Sequence, residues 1–133
     1  MSTFTFDHNG YPVECNDQFG DWTNFVLGVW ARDDCKFHDA VGRFDVSTYF
    51  VGLDLRGRLP WGPEPLIWET WVYEMTADKP WPQVDYLGHA TRGAAAAAHR
   101  ELISQIKRGI YKPTGRRWDP DFEKGTLAPN AAG

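Results

Sequence analysis

The chain has 133 residues, 42% of them apolar and 15% aromatic, which excludes global disorder and fits a single domain with its own core. No stretch approaches the ~20 apolar residues of a membrane span, and no basic segment at the N-terminus leads into an apolar run, so membrane and secretory classes are disfavoured. The net charge of −4 and the absence of any standard nucleic-acid motif argue against duplex nucleic acid as a partner.

In chain order, Phe4 to Val13 reads as two short extended segments about a turn at Asn9-Gly10, a pair tolerant of positive φ. Asn16 or Asp17 then supplies a cap for a short helix running toward Phe25, weakened by Gly20. Residues 26–35 fit helix and strand equally well. Lys36 to Ala40, a turn at Val41-Gly42, and Phe44 to Asp54 form a second predicted hairpin. Its run from Val46 to Leu53 has the β-branched and aromatic content of a central strand. Residues 55–65 hold Gly57, Pro60, Gly62, Pro63 and Pro65 and read as a loop. Leu66 to Met75 is a strong strand interrupted by Glu69, and Val84 to Ala90 is a shorter one. Thr91 caps a helix from Arg92 to a terminating Gly109, with Ala95, His99, Leu102, Ile103 and Ile106 along one face. The fold expected is α+β: an antiparallel sheet of four to five strands with one main C-terminal helix packed on one face. Residues 1–118 form that single domain, and 119–133, poor in apolar content, read as a flexible tail.

Charge is unevenly distributed. Residues 1–91 carry 14 acidic and 6 basic side chains, whereas 92–117 carry 7 basic and 1 acidic. Such a segment suits phosphates or an acidic partner, and it equally suits a solvated helix face. Cys15 and Cys35 lack pairing or metal-ligand spacing and are expected to be reduced thiols in a cytoplasmic protein. No phosphate-loop, nucleophile-elbow or zinc-protease motif occurs.

Three ordered motifs carry a resemblance. They are Val46-Ser47-Thr48-x-x-x-Gly52-Leu53-Asp54, Pro65-Leu66-Ile67-Trp68-Glu69-Thr70, and Thr91-x-x-x-Ala95-x-x-Ala98-His99. Together with the Asn-Gly turn, this pattern resembles a widespread family of short bacteriophage proteins of uncharacterised activity. Four positions depart from the family pattern. Leu55 stands where members have His after the strand-end Asp, and His89 where they have Tyr. Ala98 replaces Gly before the helix His, and Trp71 replaces Met. The resemblance implies a phage-encoded accessory factor acting in the host cytoplasm.

Thr48, Asp54, Glu69 and His99 are polar residues in apolar surroundings. A carboxylate and an imidazole at a sheet–helix interface must be paired, because burying either alone costs several kcal/mol. One reading makes them a structural pair, with Asp54 accepting loop N–H groups. Another makes them a site in which a carboxylate orients His99. Asp54, Glu69 and His99 also suit a divalent ion by ligand type, but no spacing fixes one, so neither metal nor cofactor is expected. Arg56 and Arg58 beside Trp61 offer phosphate and ring contacts.

Three functions follow. The first is a counter-defence binding protein that sequesters a nucleotide-type small-molecule signal through Thr48, Arg56, Arg58, Trp61, Trp71 and His89. The second is a small phosphodiesterase or other hydrolase using His99 with Glu69 or Asp54. The third is an inhibitor that binds a host protein. The absence of a catalytic signature favours the first. A sheet edge and many Trp leave room for a homo-oligomer.

Overall fold

The computed structural model describes residues 3–15, 19–55 and 64–116. Two short strands, β1 (Thr3–Phe6) and β2 (Pro12–Cys15), form an antiparallel hairpin. Its turn is set by Asp7, whose Oδ1 accepts from Asn9 N at 2.9 Å and Tyr11 N at 3.0 Å. Only Gly10, at φ 82°, uses the positive-φ freedom expected of the Asn9-Gly10 pair. Helix α1 (Phe19–Trp30) follows, so the ambiguous stretch after Phe25 is helical as far as Trp30. A 3₁₀ turn at Asp33–Cys35 then leads into the main sheet.

That sheet is a four-stranded antiparallel meander of β3 (Lys36–Val41), β4 (Phe44–Phe50), β5 (Trp68–Glu74) and β6 (Gln83–His89), in the order β3-β4-β5-β6. The β3–β4 turn is Gly42-Arg43, one residue later than the sequence suggests. Gly42, at φ 59°, occupies its first central position. Strand β4 stops at Phe50 rather than at Asp54. Gly52 turns the chain at φ 76°, and a Cβ there would lie 2.8 Å from Trp22 Nε1. Glycine is needed because the β1–β2 hairpin docks at this point, with Phe4 N donating to Gly52 O at 2.8 Å.

Helix α2 (Arg92–Lys107) is capped as its sequence predicts. Thr91 Oγ1 accepts from Ala94 N at 3.0 Å. At the other end Gly109 N donates to Ile106 O and Ile110 N to Gln105 O, a Schellman closure. The buried positions Phe44, Val46, Thr48 and Phe50 alternate along β4, so the even-numbered side faces the helices. Against it α2 places Leu102, Ile103 and Ile106 on Phe44, Val46 and Val72. At the other end of this face, Val26 and Val29 of α1 pack with Phe4, Phe50, Ile67, Trp68 and Ala95. The architecture is thus α+β, with a four-stranded sheet, a separate hairpin, and a second helix beside the predicted C-terminal one. Cys15 and Cys35 are separate thiols, and burial pushes the Cys35 thiol up to about 11. No helix among the described residues is long and apolar enough to cross a membrane.

Candidate functional site

A row of polar side chains crosses the helix-facing side of the sheet where apolar residues would be expected. Thr48 on β4 and Thr70 on β5 are cross-strand partners, and their hydroxyls lie 2.7 Å apart. Thr70 Oγ1 is 2.8 Å from His89 Nε2 on β6, and Thr48 Oγ1 is 2.9 Å from His99 Nδ1 on α2. His99 Nε2 lies 2.7 Å from Asp39 Oδ2 on β3. All four strands and the helix therefore contribute one member each. Thr48, Thr70, His89 and His99 are buried, whereas the Asp39 side chain is 51% exposed and brings the row to the surface. Burial of so many polar atoms is tolerable because each has a partner. Burial pushes the His89 imidazole down to about 4, helped by the nearby His99, so His89 is neutral near pH 7.

The row opens into a groove of about 320 Å³ between α2 and β3. Asp39 and His99 form one wall, and Arg100, Ile103, Ser104, Lys107 and Arg108 run along the helix. These positions fall on one stripe because residues three and four apart share a helix face. Arg108 is partly committed, lying 3.5 Å from Glu101. Among the described residues Arg100 and Lys107 have no ion-pair partner, and both are exposed.

The other sequence candidates lie elsewhere. Glu69 is on the opposite face of the sheet, where it accepts a hydrogen bond from Tyr86 Oη and does not meet His99. Asp54 sits in the segment after β4, and its Oδ1 accepts from Leu66 N at 3.3 Å. The carboxylate on His99 is thus Asp39, in place of the expected Glu69 or Asp54. Among the described residues no group of three His, Cys, Asp or Glu side chains is arranged to hold a metal ion. Trp71 also lies on the far face, 5.2 Å from the Tyr86 ring and perpendicular to it. Trp68 is fully buried against Phe6 and Phe50. Arg56, Arg58 and Trp61 lie outside the described residues, as do the Asn16 and Asp17 caps and the 119–133 tail.

Sequence reasoning missed Asp39 and Thr70, and it did not separate Arg100 and Lys107 from the general basic segment. A signal for Asp39 existed: in Phe37-x-Asp39-x-Val41 a charge occupies the middle of an alternating inward set. Asp85 was also missed. It is 2% exposed and accepts from Tyr111 Oη at 2.8 Å and Thr114 Oγ1 at 2.5 Å, tying the chain beyond α2 to β6. The Tyr111 phenol is held well above its ordinary range by burial and by this carboxylate.

No family model matches the chain, and neither a curated protein nor a solved structure matches it.

Proposed function

We propose that this protein is a binding module that captures a phosphate-bearing small molecule of nucleotide type in the groove between α2 and β3. The carrying observation is a concave surface where Arg100 and Lys107, with no ion-pair partner among the described residues, adjoin a buried imidazole. Its volume of about 320 Å³ reaches the lower end of small-ligand sites, which run from about 300 to 1,000 Å³. Guanidinium and ammonium groups on a rigid helix supply charge-assisted hydrogen bonds to phosphate oxygens. The resemblance to short bacteriophage proteins supports reading such capture as counter-defence, by sequestration of a nucleotide-type signal.

Capture is preferred to hydrolysis for a geometric reason. Both ring nitrogens of His99 are already engaged, Nδ1 by Thr48 and Nε2 by Asp39. A general acid or base must reach the substrate, and the Nδ1 side of the His99 ring faces Thr48, which is itself 1% exposed. Docking to a host protein would call for a broad exposed apolar patch. Among the described residues, the exposed large apolar ones, Tyr11, Val13, Leu27, Trp30 and Ile110, are spread over the hairpin, α1 and the segment after α2.

The test is to incubate purified protein with cyclic dinucleotides and ADP-ribose-type compounds, then chromatograph the free fraction and the fraction released by heating. Depletion with intact ligand recovered is expected, and Arg100→Glu combined with Lys107→Glu should abolish it without loss of fold. Appearance of cleaved product would instead establish hydrolysis, and ligand left entirely free would overturn the reading.

A further inference from the structure

The row of hydrogen bonds from His89 to Asp39 has a direction, and elementary counting of hydrogens fixes it. The Asp39 carboxylate accepts from His99 Nε2–H across 2.7 Å. In a neutral imidazole the other nitrogen, Nδ1, is then an acceptor, so Thr48 must donate to it. Each threonine hydroxyl has one proton. Thr48 therefore accepts from Thr70, and Thr70 accepts from His89 Nε2–H.

Adding a proton to His99 Nδ1 makes that nitrogen a donor. Thr48 must then accept from it and turn its own proton toward Thr70, which turns its proton toward His89. His89 Nε2 becomes an acceptor, and its proton resides on Nδ1. One proton enters from solvent, two hydroxyl groups rotate, and His89 exchanges one ring proton for another through solvent. No heavy atom needs to move, and in both states every bond of the row is kept.

We infer that this row is a two-state relay that couples anion capture in the groove to proton uptake at His99 and reports it in the tautomer of His89. The inference rests on the anion-binding reading for its ligand, although not for its switch. The groups facing His99 are Asp39 from β3, the Phe37 ring 5.8 Å away and Thr48 from β4, while Arg100, Lys107 and Arg108 of its own helix line the same groove. His89 reaches it from β6 through Thr70 on β5. A second proton on His99 would add to the positive charge of the groove, which Arg100, Lys107 and Arg108 line. A bound anion would neutralise the cations and shift the balance toward the imidazolium. Linkage then requires the converse: protonation strengthens anion binding, by at most about tenfold per pH unit for one proton. His89 is suited to the far end because burial keeps it neutral, so it changes tautomer instead of charge.

The experiment is a long-range ¹H–¹⁵N titration of the histidine rings in the ¹⁵N-labelled full chain, with pyrophosphate as the anion probe. As His99 becomes imidazolium, His89 Nε2 should pass from the protonated to the unprotonated nitrogen type with the same midpoint. A His89 that holds one tautomer throughout would overturn the relay. Thr48→Val should uncouple the two rings, and Thr48→Ser should restore the coupling. If Thr48→Val does not fold, the wild-type titration decides alone. Pyrophosphate should raise the His99 midpoint. If the rings switch together but pyrophosphate does nothing, the groove reading and the coupling to capture fail while the switch stands. If pyrophosphate binds but His89 does not follow His99, the relay fails while the groove stands.

Discussion

The two halves of the α2–sheet interface are built on different principles. Toward the C-terminal end of the helix, Leu102, Ile103 and Ile106 meet Phe44, Val46 and Val72, a contact that is non-directional and roughly proportional to area. One turn earlier, His99 meets Thr48, and through it Thr70 and His89, where each bond has a fixed partner and direction. The apolar half can relax around a change. In the polar half, one deletion leaves other buried groups without partners, and that cost exceeds the value of the bond itself. Polar specificity lies beside the groove, while the apolar half supplies the stability that holds it.

The largest expected effect tests the apolar half. Leu102→Ala should cost about 2–5 kcal/mol in urea unfolding through lost burial and a residual cavity. A value near zero would mean that α2 is not held by this contact. Acid should act next, on the polar half. Unfolded His89 takes up a proton near its ordinary pKa of 6.5, whereas in the fold it does so only at about 4. Between these values the unfolded state binds more protons, so stability falls as pH falls through that window. The loss is on the order of 3 kcal/mol, read as the difference between wild type and His89→Gln.

Thr70→Val should cost about 1–3 kcal/mol, because Thr48 and His89 both lose a partner. Combining it with Thr48→Val should cost less than the sum of the two single changes, as expected for neighbours in one network. Strict additivity in a double-mutant cycle would show that the row is not connected. The smallest stability effect belongs to Asp39→Asn, below about 1 kcal/mol, because that side chain is half exposed. Its effect on pyrophosphate affinity is the sharper reading: removing a negative charge from the groove should tighten binding.

The fold was legible where one local rule decided each element. Thr91 and Gly109 bracket α2, and β-branched alternation marks β4. Boundaries slipped where tertiary contacts set them, as at Gly52, where the docking of Phe4 and Trp22 ends the strand early. The candidate site was half legible. Thr48 and His99 stood out as polar groups in apolar settings and His89 as a departure from the family pattern, and the structure joins them through Thr70. Glu69 stood out equally but faces the other way, since a mid-strand carboxylate gives no sign of which side will satisfy it. Asp39 could not be paired with His99 from sequence, because only the folded sheet brings β3 beside α2.

The bond between Asp39 and His99 joins residues 60 apart in the chain. Loop-closure entropy opposes so distant a contact until the intervening strands have paired. The groove is therefore a late product of folding. A chain still emerging from the ribosome holds the Asp39 wall before the basic helix exists, and a cut between β4 and β5 leaves the two on separate pieces. On the proposed function, only completely assembled molecules would withdraw ligand from solution.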